Sequence, residues 1–328
     1  MSTRELTALI HIHSTLSDGT WTVERIAAAA ARAGVDVLVF TDHDTPPAPP
    51  QWVHGVLVIR GSELALKDPR YDHLLVIPRA HRPLVIKAHP LDPPLKVGGR
   101  GRGYPALDWS VLWDGIELFN AMSMIKRGAS TRLKAVACIL APLAFLPPPE
   151  PLALGIWDAV GLNRRWPAVA GADAHAYSTG RRWLPLRVFS YPRHMRLVTT
   201  GVWLEGPLAE QPAEAASQVV AAIAAGRAYC ALGSARGTRC WLEPEGLLPG
   251  QEAPWQPGMR LEVRLPGMAQ IRLVRCGEVV GASFGRAAAF ELSGPGVWRV
   301  EAWRWRLGRF RPWVFVNPFY LRGNGQVS

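Results

Sequence analysis

The sequence predicts an α/β protein: buried, largely parallel strands forming a sheet or barrel, followed by a smaller antiparallel β-domain. Three observations carry this reading. Seven short apolar runs recur between residues 6 and 175, and they are continuous rather than alternating, the pattern of strands covered on both faces. Polar residues with metal-ligand chemistry stand repeatedly at the exits of those runs, where strand-and-helix barrels assemble their active sites. Beyond about residue 236 the pattern changes to clean alternation, as in Arg260-Leu261-Glu262-Val263-Arg264-Leu265, with Gly and Pro turns between. That is the mark of an antiparallel sheet with one wet face.

The first run, 6–12, carries His11 and His13 two positions apart, so on a strand both imidazoles share a face. Ser17-Asp18-Gly19 reads as a tight turn that returns a carboxylate over the strand end. A helix follows over 22–33, with Thr20 or Thr22 as N-cap, an alanine-rich interior and Gly34 as its stop. The second strand, 35–41, runs into His43, and the third, 53–64, ends in Gly61-Ser62-Glu63. The fourth, 73–77, opens on His73; the fifth, 84–86, leads into Lys87-Ala88-His89-Pro90. The sixth, 115–120, contains Glu117 and Asn120, and the seventh, 169–175, ends in Asp173-Ala174-His175. Residues 121–167 read as a helical insertion with helices at 130–140 and 151–162, and a last amphipathic helix covers 212–225 before Gly226. The expected domains are a barrel over 1–235 and a β-rich domain over 236–328.

Composition narrows the classes. A chain of 328 residues with 48% hydrophobic and 19% charged residues has the apolar content for a large core and is not a disordered chain. The N-terminus enters the first strand directly, leaving no room for a signal peptide, and the longest apolar stretch, 133–146, contains Lys134 and Pro142 and is too short to span a bilayer. A cytoplasmic protein without a membrane partner is the expectation. Four scattered cysteines without a CxxC pair are expected as buried free thiols. The net charge of +11 favours anionic partners. A small phosphorylated substrate is preferred to nucleic acid, because no run of cations is longer than two residues and there is no RNA-binding motif.

Six of the nine histidines belong to the strand-end set, which points to a polynuclear metal centre. As an ordered set, the HxH at 11–13, SDG at 17–19, TDH at 41–43, Glu63 in a Gly-x-Glu setting, His89 in Ala-His-Pro and Asp-x-His at 173–175 resemble the polymerase-and-histidinol-phosphatase (PHP) phosphoesterase superfamily over residues 9–175. The resemblance implies a distorted (β/α)7 barrel holding two or three divalent metals. It implies that His11, His13 and Asp173 hold one metal, that Glu63 bridges to a second served by His73 and His89, and that Asp18, His43 and His175 form a third site. Asp18 departs from the family pattern, in which many members carry histidine. The tail, through Ala224-Ala225-Gly226-Arg227-Ala228-Tyr229, Cys276-Gly277-Glu278-Val279-Val280 and Asn317-Pro318-Phe319-Tyr320, resembles the branch that includes carbaryl and carbofuran hydrolases.

Mixed nitrogen and oxygen ligation without thiolate admits zinc, manganese or iron. A water bridging two such ions ionises near neutral pH, since one zinc alone lowers its pKa from 15.7 to about 7. The expected catalytic group is that bridging hydroxide, held by Glu63, with His43 and His175 stabilising the leaving group. Arg100 and Arg102, in the glycine-rich stretch after His89, and Asn120 are the substrate-binding candidates. Glu117 either touches substrate or braces the barrel; His54, His81 and His194 fit no position of the pattern. The expected activity is hydrolysis of a small phosphomonoester or phosphodiester. A carbamate, carboxylic ester or amide hydrolase with the same centre is one alternative, and a non-catalytic nucleic-acid or anion-binding module is another.

Overall fold

The structure, a computed structural model, describes residues 3–65, 73–93, 113–176, 179–181, 184–186 and 189–323. Arg100 and Arg102 lie outside the described residues. Seven staves close a barrel. β1 (Thr3–Ile12), β2 (Val37–Phe40) and β3 (Val56–Arg60) run parallel to one another. Gly61 carries β3 into β4 (Ser62–Ala65), which pairs antiparallel with β5 (His73–Ile77), itself antiparallel to β6 (Leu84–Lys87). β7 (Gly115–Asn120) and β8 (Ala168–Ala174) continue parallel to β6, and β8 closes on β1.

The expectation of parallel strands therefore fails at one stave, β5. Residues 78–83 are all that connect β5 to β6. A parallel pair needs a crossover of a dozen or more residues, so a link this short imposes an antiparallel neighbour. The reversal brings His73, the first residue of β5, to the rim where the other staves end: it pairs with Ala65, and its carbonyl accepts from Ala88 N at 3.1 Å.

Side chains alternate across the staves. Leu6, Ala8 and Ile10, Val37 and Val39, Leu57 and Ile59 join one buried cluster, together with α7 (Pro212–Ala224). Leu9 and Ile12, Leu38 and Phe40, Val56 and Val58 join a second, against α1 (Val23–Ala33). α1 has the expected ends: the Thr22 side chain accepts from Arg25 N, and Gly34 caps the C-terminus at φ 73°. The insertion holds α2 (Ala121–Gly128), α3 (Arg132–Leu140), α4 (Pro142–Phe145) and α5 (Pro151–Asn163), of which α3 and α5 match the expected helices. α6 (Tyr191–Leu197) packs beside α1.

β9 (Val198–Glu205) pairs antiparallel with both β1 and β10 (Ala228–Leu232). The C-terminal part supplies β11 (Arg239–Glu243), β12 (Arg260–Arg275), β13 (Glu278–Glu291), β14 (Gly296–Arg306), β15 (Arg309–Val316) and β16 (Phe319–Arg322). These strands pair antiparallel, and β15 joins β10, so the ladder runs on from the barrel. Leu261, Val263 and Leu265 are buried, as their alternation requires, in a core that also takes Trp203, Tyr229, Trp298 and Trp313. All four cysteines are free; Cys138, Cys230 and Cys240 are buried, but Cys276 is exposed. Cys276 and Gly277 form a two-residue hairpin loop with φ of 50° and 91°, which turns the thiol outward. Among the described residues no helix is long and apolar enough to cross a membrane.

His194 on α6 is fully buried; its Nδ1 donates to Ser190 O at 3.2 Å, its Nε2 has no hydrogen-bond partner, and the Phe189 ring stands 6.0 Å away. Burial lowers its pKa to about 4 from an ordinary 6.5. The unfolded chain binds this proton at a higher pH than the folded one. The contribution is therefore fully present above about pH 6.5 and is lost as pH falls through 4, a difference of about 3 kcal/mol. Between pH 7 and 4.5 the Tm of the wild type should fall more steeply than that of His194→Gln; parallel Tm profiles would refute this assignment.

Candidate metal centre

Unbroken alternation from Leu6, Ala8 and Ile10 would keep Ile12 inside the barrel and turn both histidines outward. A bulge at His11 prevents this. His11 takes a left-handed backbone, φ 64°, and the register of β1 against both β2 and β8 shifts between Ile10 and Ile12. Ile12 passes to the outer cluster, and His11 and His13 turn in together: each Nε2 stands 3.2 Å from Glu63 Oε2. His89 (φ 24°) and Asp173 (φ 48°) also hold positive φ, a backbone state that residues with a Cβ seldom adopt.

Glu63 is the hub, and its two oxygens divide the imidazoles. Oε2 faces His11, His13 and, at 3.4 Å, His43 Nδ1. Oε1 faces His73 Nδ1 at 2.8 Å and His89 Nε2 at 3.0 Å. Beside this, Asp18 Oδ1 lies 3.5 Å from His13 Nδ1, 3.3 Å from His175 Nε2 and 3.9 Å from His43 Nε2. Asp173 Oδ1 lies 3.4 Å from His175 Nδ1, 3.8 Å from His11 Nε2 and 3.9 Å from His13 Nε2. The rings of His13 and His175 stack with centroids 3.9 Å apart. All nine residues singled out as ligands, His11, His13, Asp18, His43, Glu63, His73, His89, Asp173 and His175, thus converge on one rim.

The donor set fits divalent cations on its own chemistry. His11 Nε2 and both ring nitrogens of His13 are buried without a hydrogen-bond partner, although carboxylate oxygens stand within 3.5 Å of each. Buried polar atoms left in that state are costly, and a metal ion satisfies imidazole lone pairs directly. Among the described residues, three groups have ligand atoms close enough to share an ion: His13, Asp18, His43 and His175; His11, His13 and Asp173; and His11, Glu63 and His89.

Behind the rim lies a buried brace. Glu117 on β7 accepts from His11 Nδ1 at 2.8 Å, from Asn120 Nδ2 at 3.0 Å and from the backbone N–H of His89. Asn120 also donates to Asp173 Oδ2 at 3.3 Å, while its Oδ1 accepts from Ser123 N at 2.9 Å and so caps α2. Of the two roles open to Glu117, bracing is the one its contacts support, and Asn120 is engaged by the protein on both ends of its amide. Gly171 on β8 makes room for this: a Cβ there would collide with Glu117 Oε1 and crowd His11 Cβ. Neither Gly171 nor the direct bond from Glu117 to His11 was visible in the sequence, because both depend on which strands become neighbours.

The charges sustain one another. Burial opposes a proton on His11, but Glu117, Glu63 and Asp173 outweigh it and hold its pKa well above the ordinary value. Burial opposes ionisation of Glu63, yet His11, His13 and His73 keep its carboxyl well below the usual range. For His13, burial prevails, aided by His175 and His11, and its pKa falls. Burial is overcome for His175 by Asp18 and Asp173, and for His89 chiefly by Glu63, so both are raised.

The rim opens into a cleft of about 280 Å³ that Asp92, Met122 and Lys126 also line. Lys126 on α2 donates to Asp92 Oδ2 at 2.5 Å, and buried Asp92 takes Ser123 Oγ on its other oxygen at 2.5 Å. Sequence reasoning missed this pair. Lys126 reaches the mouth only because α2 starts directly from β7, and the sequence placed the first inserted helix nine residues later.

No protein-family model matches the chain. Phosphoribosyl 1,2-cyclic phosphate 1,2-diphosphodiesterase from Eggerthella lenta is 53% identical over 36 residues, which are 11% of this chain and 14% of that relative. The chain therefore matches about a seventh of the relative's length. A solved two-domain protein from Bacteroides vulgatus, described as containing a predicted PHP-like metal-dependent phosphoesterase, is similar at 12% identity, with 96% of this chain and 95% of that one covered and a TM-score of 0.42.

The brace predicts that Glu117→Gln and Gly171→Ala each weaken divalent-metal affinity by about 10–100-fold while the barrel stays folded. Metal titration followed by calorimetry, with circular dichroism as the folding control, reads this directly. Unchanged affinity in both variants would remove Glu117 from the account.

Proposed function

We propose that the chain is a metal-dependent hydrolase of the PHP type, a phosphoesterase acting on a small phosphomonoester or phosphodiester. The observation that carries the reading is the division of five imidazoles between the two oxygens of one buried carboxylate, Glu63. His11, His13 and Asp173 would hold one ion, Glu63 with His73 and His89 a second, and Asp18, His43 and His175 a third; by distance alone His11 and His13 each belong to two of the three ligand groups. Bound zinc, manganese or iron ions supply Lewis-acid polarisation and bring the ionisation of water into the neutral range.

The remaining steps belong to the chain's own residues. Lys126, fixed by Asp92 at the mouth, takes the negative charge of the phosphoryl group and orients the ester toward Glu63. His43 has a side chain 35% exposed and, with His175, lines the opening, so both stand where they would stabilise the charge on the departing oxygen. Glu117 fixes the ring of His11, and Asn120 ties Asp173 to the start of α2, which is a positioning role. The tail motifs favour a second reading within the same centre, cleavage of a carbamate or carboxylic ester, as in the carbaryl and carbofuran hydrolase branch. Lys126, an N–H donor at the mouth even while paired with Asp92, favours the phosphate ester.

Protein loaded with manganese or zinc should hydrolyse p-nitrophenyl phosphate or bis-p-nitrophenyl phosphate, and His13→Ala should reduce turnover to background. No turnover of either ester with any of the three metals would overturn the phosphoesterase reading. Lys126→Met should raise KM for the phosphate esters by about 10–100-fold, the worth of one charge-assisted hydrogen bond, with kcat less affected. Naphthyl carbamates, which carry no charge, should be indifferent to Lys126; turnover of these alone would move the assignment to the second reading.

A further inference from the structure

A larger cavity, about 550 Å³, lies at the opposite end of the barrel. Its wall is the turn between β5 and β6, which carries Arg79, His81 and Arg82, together with Asp114 just before β7 and Arg164 and Arg165 just before β8. Leu84 and the α7 residues Ala221 and Ala224 supply an apolar side. Four guanidiniums thus share a concavity with one carboxylate.

That carboxylate is already committed. Arg82 grips Asp114 through two bonds of 2.6 and 2.8 Å, and Asp114 Oδ2 also accepts from Val85 N at 3.0 Å. Among the described residues, Arg79, Arg164 and Arg165 have no carboxylate within ion-pair distance. Arg164 bonds to the Trp113 carbonyl through Nη2, and its Nε is buried with no hydrogen-bond partner. Burial lowers its pKa; Asp114 opposes this in part and Arg82 adds repulsion, so the positive charge here is only partly offset by the protein.

Guanidinium forks match phosphate oxygens in geometry and charge. The volume falls in the range of small-ligand sites, roughly 300–1,000 Å³, and exceeds what a single phosphate needs. The apolar side gives an uncharged portion of a ligand something to cover. We propose that this cavity binds a small phosphate-bearing anion of nucleoside-diphosphate size, at a site separate from the metal rim and independent of what that rim catalyses.

Calorimetric titration of metal-loaded protein with ADP tests this, comparing wild type, Lys126→Met and the double variant Arg79→Ser/Arg165→Ser. Metal content and Tm, equal to those of the wild type, establish that the double variant is intact; Arg79→Gln/Arg165→Gln replaces it if they are not. ADP should bind wild type and Lys126→Met with the same Kd, within twofold, and at least tenfold more weakly to the double variant. Three results would overturn the proposal: no binding to wild type below 1 mM, a loss of less than tenfold in the double variant, or a Kd that moves more than twofold in Lys126→Met.

Discussion

An ionised carboxylate held out of water is the constraint on which the rest of the structure depends. Glu63 is 1% exposed, and removing such a charge from solvent carries an effective penalty of several kcal/mol. The offset comes from imidazoles on both of its oxygens, and those imidazoles come from β1 and its exit, from β5, and from the loops after β2 and β6. No single segment can supply them. The ring of staves has to close before the carboxylate is compensated, so the electrostatics of the site and the closure of the barrel are one requirement. This also explains why a second carboxylate, Glu117, sits behind the first: it accepts the hydrogen bond from His11 Nδ1–H and leaves Nε2 facing inward.

The backbone carries part of the cost. Left-handed conformations at residues with a Cβ are each worth of order 1–3 kcal/mol, and His11, His89 and Asp173 all hold one. They cluster on the rim and serve a common end, which is to turn side chains inward from strands whose apolar pattern points elsewhere. At His11 the effect is plain, since the bulge sends Ile10 and Ile12 to opposite clusters. His89 is pinned by its own N–H on Glu117, and Asp173 by the amide of Asn120. The same brace that orients the His11 ring therefore holds the unfavourable backbone in place.

Much of this was legible in the sequence because ligand chemistry is local. The HxH and DxH pairs, Glu63 after Gly61 and His89 after an apolar run could each be assigned to a strand end. The count of seven strands and the switch to alternation near Arg260 followed from burial patterns that the structure reproduces. What escaped depends on contacts between distant segments. His73 looked misplaced at the start of its strand until β5 proved to be reversed. Gly171 carries no signal alone, since its missing Cβ matters only beside Glu117 of the neighbouring stave. Lys126 needs the exact start of α2, and helix boundaries inside an insertion are set by a cap, here Asn120, whose other partners lie in β7 and β8.

The reversed stave links the two ends of the molecule. Seven parallel strands with long crossovers would each return to the lower rim through a segment packed around the outside of the barrel. One short antiparallel connection exposes instead a tight turn on the lower rim, at residues 78–83, while lifting His73 to the upper one. The turn brings Arg79 and Arg82 beside Arg164 and Asp114, which precede the neighbouring parallel staves. A cation-rich hollow at one end and the fifth imidazole at the other thus arise from the same choice of strand direction. Restoring a parallel stave would require lengthening both links that flank β5, residues 66–72 as well as 78–83, and the reversed β5 would withdraw His73 from Glu63 and dissolve the arginine cluster together.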